Sequence, residues 1–221
     1  MSKIFVLSFD DGTIWDERFI ELLNKYNIPA TFNLNSGLED FVWYYDNQPI
    51  QRIHIKDKAY MYEKHEIASH TYTHPYITTL TDEQLHQEQY KDTTILKEIF
   101  NLDEIGFGVP FSWCNEREIN IIKNYVSYIR LSEMTNEYQL PIDQYHIKIH
   151  GLYNDIDIKE KIYNYANNEL NDSLFVLCGH SYEFEMLNHW EYIEELLQYI
   201  QSFDFNIMTM KQFVNKYYRE G

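Results

Sequence analysis

Two short stretches of this chain combine residue types that can do chemistry. Asp10 and Asp11 are adjacent carboxylates at the end of the apolar run 3–9. Like charges side by side repel and an unpaired buried charge is costly, so a cation beside them would relieve the conflict. The competing reading is a turn, because Asp-Asp-Gly is also ordinary turn chemistry that leaves both acids in water. His70 and His74 lie four apart in His-Thr-Tyr-Thr-His-Pro. The two β-branched threonines and Pro75 disfavour a helix there, so a loop must fold both imidazoles around one ion if they share it. An accidental spacing among nine histidines is the alternative for that motif alone. Imidazole and carboxylate together suit zinc or a related transition metal, with an open position for water at a catalytic site.

The remaining candidates share a position. Pro110 with Phe111, Arg130, His150 and His180 each follow a predicted strand, as do the two aspartates and the paired histidines. Strands are predicted at 3–9, 30–34, 66–69, 106–109, 126–129, 145–149, 174–177 and 205–208, with a short one at 52–55. Helices are predicted at 16–26, 116–125, 158–170, 189–201 and 211–218. Thr81 and Gln84 form a capping box that opens another helix, with Leu85, Ile95, Leu96 and Ile99 on its inner side. This alternation is an α/β pattern with a parallel sheet, and about seven strands in a chain of this size suit a barrel better than an open sheet. In such barrels the carboxyl-terminal strand ends converge on one face, where reactive groups sit.

No linker or repeat divides residues 1–221, so one domain is expected. Eighteen Lys+Arg against 35 Asp+Glu give a net charge of −17. Such a charge repels phosphate backbones and anionic membranes, which excludes nucleic acid and membrane as first-choice partners. Cys114 and Cys178 are too few for a disulfide framework and are expected as ordinary buried thiols. The opening MSKIFVLSFDDG reads as neither a signal peptide nor an anchor, so the expected compartment is the cytoplasm. Aromatics at Phe41, Trp43, Tyr44 and Tyr45 fall in the long irregular segment 37–64, either packing that loop or offering faces for sugar rings.

SFDDG at 8–12 and SHTYTHP at 69–75 resemble the first two motifs of the polysaccharide deacetylases, the NodB-homology domain of carbohydrate esterase family four. IPATFNLNSG, LTDEQL and LCGHSYE resemble further segments of that family. The resemblance implies a distorted parallel (β/α) barrel and a divalent metal, usually zinc with cobalt, nickel or manganese as alternatives, held by Asp11, His70 and His74. It implies Asp10 as general base, His180 as the acid that protonates the leaving nitrogen, and the Phe111 backbone N–H beside Pro110 as an oxyanion donor. An acetylated carbohydrate is then the implied substrate. Hydrolysis of another non-peptide carbon–nitrogen bond, in a cyclic amide or ureide, and a catalytically inactive carbohydrate-binding relative are the alternatives.

The chain departs from the family pattern in places. Its third motif normally reads Arg-x-Pro-Tyr, and here it is Gly108-Val109-Pro110-Phe111, without the arginine. Arg130, from the next predicted strand, is the expected substitute. The fourth motif is not recognisable, with Glu183 or Asp157 as possible stand-ins. His150 is a candidate substrate contact, with a hydrogen-bonded structural role as its alternative. The chain is thus identified as a divergent member.

Overall fold

In the computed structural model, which describes residues 2–111 and 113–219, strand β1 (Ser2–Asp10) sends its side chains alternately to two buried sides. Ile4 and Val6 join one hydrophobic cluster, while Phe5, Leu7 and Phe9 join another. A strand buried on both faces is what a parallel sheet covered by helices requires. The first cluster fills a barrel and the second lies between the barrel and its helices.

The elements follow in the order α1 (Asp16–Lys25), β2 (Thr31–Leu34), the hairpin β3 (Val42–Tyr45) and β4 (Gln48–Gln51), α2 (Ile55–Lys58) and β5 (Glu66–Ser69). Next come α3 (Asp82–Phe100), β6 (Gly106–Gly108), α4 (Glu116–Ile122), β7 (Ile129–Met134), β8 (Ile147–Ile149) and β9 (Gly151–Leu152). The chain ends with α5 (Ile158–Ala166), β10 (Asp172–His180), α6 (Ser181–Met186), α7 (Trp190–Gln201), β11 (Asn206–Ile207) and α8 (Met210–Val214). The main sheet runs β8-β7-β6-β5-β2-β1-β10-β9, all parallel, with β11 pairing the first half of β1.

Only His150 separates β8, which pairs with β7, from β9, which pairs with β10. The stretch 147–152 therefore closes the sheet on itself, and the eight segments make seven staves when β8 and β9 count as one. The expected parallel (β/α) barrel is the observed fold. At its amino-terminal end Met210, Phe213 and Val214 of α8 plug the interior. There the buried Glu66 carboxylate accepts from Thr31 Oγ1 at 2.8 Å, Tyr128 OH at 2.7 Å and the Lys211 backbone N–H at 2.8 Å.

Four local expectations differ from the structure. Residues 52–55 form no strand; the strands of that region are β3 and β4, joined by Asp46 and Asn47, both at positive φ, as a two-residue hairpin turn requires. The strand expected at 126–129 begins at Ile129, which puts Arg130 inside β7 with its side chain pointing into the barrel instead of beyond a strand end. The inner stripe of α3 is partly polar, burying Gln89, Asp92 and Thr93 with Leu85 and Leu96, while Ile95 and Ile99 are half-buried. Helix α6, directly after His180, lacked a sequence signal. Among the described residues no helix is long and apolar enough to cross a membrane.

Candidate metal centre and active site

Asp10 ends β1 facing inward, and its register partners are Asn33 on β2 and His180 on β10. Its carboxylate oxygen Oδ1 accepts from Arg130 Nη2 at 2.5 Å and from Asn33 Nδ2 at 2.7 Å. Arg130 crosses the barrel from β7, and β6 makes room for it. A Cβ on Gly108 would lie 2.4 Å from Arg130 Nη2 and 2.7 Å from Asn33 Cγ, so only glycine fits there. Burial alone would raise the Asp10 carboxyl; the Arg130 guanidinium, with His180, outweighs it and holds the group below the usual carboxylate range.

Asp11 follows at φ +86° and Thr71 at +69°, with His74 at +53° and Phe111 at +57°. Left-handed backbone costs a non-glycine residue on the order of 1–3 kcal/mol and persists where the surroundings over-determine it. Four such residues around one mouth mark a site under geometric constraint. One donor atom from each of Asp11, His70 and His74 can be chosen so that all lie within 4.8 Å of one another. His70 Nδ1–H donates to the Gly108 carbonyl at 2.7 Å, which leaves Nε2 as the free nitrogen, 3.9 Å from Asp11 Oδ1. His74 Nε2 lies 3.3 Å from the same oxygen. Asp11 Oδ1 is itself buried with no hydrogen-bond partner. Burial lowers His70 to about 3 and also lowers His74, so both imidazoles are neutral donors. Two neutral nitrogens and a carboxylate oxygen that accepts no hydrogen bond, with Arg52 Nη1 3.0 Å away as its nearest charge, are the donor set that a divalent cation such as zinc takes, and the residues fit one.

His180 Nε2 stands 3.9 Å from Asp11 Oδ2, and its Nδ1 is 3.5 Å from Glu183 Oε1 on the first turn of α6. Burial opposes its cation, but Glu183, Asp11 and Asp10 raise it to about 9. Asp157 instead pairs with Lys161, away from the site. Phe111 stacks on Tyr76 with ring centroids 3.8 Å apart and meets the edge of His74 at 4.5 Å. Asp10, Asp11, His70, His74, Phe111, Arg130 and His180 line one cleft of about 450 Å³, walled on the other side by Met134, Ile149 and Leu152. A second cleft of about 330 Å³, reached past Asp11 and His74, holds Phe41 and Trp43. The larger cleft of about 500 Å³ at the opposite end of the barrel lacks this constellation.

Two expected residues do not line the cleft. Pro110 is buried behind Phe111 in sequence. His150 is a correction: its Nε2–H donates to the Glu137 carbonyl at 3.0 Å and its Nδ1 accepts the Val176 N–H at 3.0 Å. The ring packs against both Tyr138 and Phe175, and it spends both nitrogens on joining the Glu137 carbonyl to the Val176 N–H of β10 at the break between β8 and β9. Sequence reasoning missed Asn33, Asn35, Arg52 and Asp92. Asp92 Oδ1 accepts from the Ser36 N–H at 2.7 Å and Ser36 Oγ at 2.6 Å, and Oδ2 from Ser69 Oγ at 2.5 Å and the His70 N–H at 3.3 Å. The available signal was a polar residue interrupting the apolar stripe of α3.

Fold and site together define a parallel (β/α)-barrel protein with a candidate aspartate–histidine–histidine metal centre at its carboxyl-terminal mouth. The family profile described as polysaccharide deacetylase matches residues 1–126, more than half of the 221-residue chain, and the chain belongs to the polysaccharide deacetylase family. No curated protein matches the sequence. Among solved structures, the chitin deacetylase of the fungal pathogen Colletotrichum lindemuthianum is similar at 16% identity, with a TM-score of 0.67 over 96% of this chain and 87% of that one. The esterase family four domain of a multidomain xylanase from the hindgut metagenome of Trinervitermes trinervoides is also 16% identical, with a TM-score of 0.62 over 98% and 91%. A pseudoenzyme of the same esterase family from Bacillus anthracis is 14% identical, with a TM-score of 0.60 over 96% and 66%. At these identities the likeness is one of fold.

Proposed function

We propose that the protein is a metal-dependent hydrolase that removes acetyl groups, N-acetyl foremost and O-acetyl as a variant, from a carbohydrate, with residues 1–221 as one catalytic domain. The observation that carries this reading is the adjacency of three groups in one cleft. An Asp–His–His donor set within 4.8 Å lies between a carboxylate kept ionised and a histidine kept protonated. Two titratable groups pushed to opposite protonation states are what an acid–base pair needs.

A divalent cation held by Asp11, His70 and His74, zinc first and cobalt, nickel or manganese compatible, would supply Lewis acidity to the acyl carbonyl and its attacking water. The chain's own groups do the rest. Asp10, fixed by Arg130 and Asn33, takes the proton of the attacking water. The Phe111 N–H stabilises the charge that develops on the acyl oxygen. His180, oriented by Glu183, gives its proton to the departing nitrogen, which cannot leave as an amide anion. The phenyl ring of Phe111, 41% exposed, offers an apolar face to a sugar ring at the cleft mouth. A chain of net charge −17 favours neutral acetylated sugars over anionic polymers.

The test is acetate release from N-acetylglucosamine oligomers by the protein loaded with each metal in turn. Activity should need the metal and fall by about 10²–10⁴ in Asp10→Asn with metal content retained. Turnover of ureides without acetate release would move the assignment to another carbon–nitrogen bond. Sugar binding without turnover in the loaded protein would make the chain a carbohydrate-binding relative.

A further inference from the structure

We infer that Arg52 and Asn35 are positioning residues that hold the loops carrying the candidate metal ligands, an inference that rests on the metal-dependent reading above. Arg52 follows the β3–β4 hairpin and is 5% exposed. The chain around it runs antiparallel to the segment after Asp11: Ile14 N–H donates to the Gln51 carbonyl at 3.1 Å, and Ile53 N–H to the Gly12 carbonyl at 2.9 Å. Arg52 Nη1 donates to the backbone carbonyl of Asp11 and lies 3.0 Å from its Oδ1. The same nitrogen donates to Asn35 Oδ1 at 2.7 Å. Trp43 of β3 covers the guanidinium, 4.7 Å from its ring centroid.

Asn35 carries the connection to the second loop. Its Nδ2 donates to the His70 carbonyl at 2.5 Å and the Thr71 carbonyl at 2.8 Å. The carbonyls of Asp11 and Thr71, two of the left-handed residues at the mouth, are therefore both tied to one Arg52–Asn35 link. Strand β2 holds the root of each loop, with Asp11 N–H donating to the Asn33 carbonyl at 3.0 Å and His70 N–H to the Leu34 carbonyl at 2.9 Å, and the Arg52–Asn35 link adds a side-chain tie between the two loops whose donor atoms must meet at one point. The two N–H bonds of Nη1 serve the Asp11 carbonyl and Asn35 Oδ1 while the guanidinium lies over Trp43, a stacked placement that a lysine ammonium does not reproduce.

The charge of Arg52 makes the role testable by sign. A guanidinium beside Asp11 repels a second cation, so if charge were its main effect, removing it would tighten metal binding. If positioning is its main effect, removal loosens it, and partners that orient metal ligands typically change affinity tenfold to hundredfold. The measurement is the Co²⁺ dissociation constant by chelator competition, together with the visible Co²⁺ absorption band, which reports coordination geometry. It is made on the full chain and on Arg52→Ala, Arg52→Lys and Asn35→Ala, with circular dichroism to establish folding. The expected result is a tenfold or greater loss and an altered band in Arg52→Ala, a loss in the same direction in Asn35→Ala, and incomplete rescue in Arg52→Lys. Unchanged or tighter binding in Arg52→Ala overturns the inference. If that variant does not fold, unchanged affinity and band in both Arg52→Lys and Asn35→Ala overturn it. Failure of the unsubstituted protein to bind Co²⁺ refutes the metal reading itself and this inference with it.

Discussion

Replacing Arg130 by methionine isolates the ion pair at the centre of the barrel. The substitution keeps most of the apolar stem and removes a guanidinium that is 1% exposed, leaving the Asp10 carboxylate, 9% exposed, with Asn33 as its remaining donor. At an effective dielectric of about 20, two unit charges about 4 Å apart attract by about 4 kcal/mol. Removing one partner of a buried pair typically costs about 3–5 kcal/mol, because the survivor stays buried and uncompensated. The two routes agree. For a chain of this length each kcal/mol moves the thermal midpoint by about 2–4 °C, so Arg130→Met should melt roughly 6–20 °C lower. The assay is urea and thermal unfolding at neutral pH of the parent, Arg130→Met, Asp10→Asn and the double variant. Each single variant strands one buried group, so the double should lose clearly less than the sum, with a coupling of at least about 2 kcal/mol. A single variant within about 1 kcal/mol of the parent, or strict additivity, would refute the account of Arg130 as the counter-charge of Asp10.

Three further outcomes follow from neighbouring contacts. Gly108→Ala places a methyl 2.4 Å from Arg130 Nη2, and should cost about 1–3 kcal/mol and depress acetate release by moving Arg130; parent-like turnover would count against that tight fit. His150→Ala strands the Val176 N–H and the Glu137 carbonyl, so urea unfolding should show a loss of at least about 2 kcal/mol while Co²⁺ affinity stays at the parent value; altered affinity would return His150 to the site. Burial raises Asp16 to about 6, above its unfolded value, so its favourable contribution is complete below pH 4 and is lost as pH climbs through 6. Asp16→Asn should therefore gain stability relative to the parent between pH 4 and 7, and melting curves that stay parallel across that window would exclude this assignment.

Much of the site was legible because its signals are local. Asp10–Asp11 and His70–His74 are short motifs whose neighbours, an apolar run and a proline, already say strand end and loop. The long strands β1 and β10 were visible as apolar runs, since burial on both faces leaves no polar alternation to misread. The hairpin β3–β4 was not, because its turn is Asp46-Asn47 and lacks the usual glycine. The polar stripe of α3 was equally hidden: a buried Asp92 is acceptable only once Ser36, Ser69 and the His70 N–H converge on it.

By itself the sequence determined the family motifs, the alternation of strands and helices, and which carboxylates and imidazoles lie at strand ends. Those properties depend on residue type and on spacing within a few positions. Only the tertiary structure decided which distant groups meet them. Arg130 reaches Asp10 across 120 positions because Gly108 has no side chain in its path. Arg52 reaches Asp11 across 41 positions because the hairpin folds back over the first loop. His150 could be a substrate contact or a hydrogen-bonded strut on sequence grounds, and in the closed barrel both its ring nitrogens are spent on backbone groups. Whether a polar residue is a reactive group or a support depends on which partners burial forces on it, and those are set by packing between segments far apart in the chain.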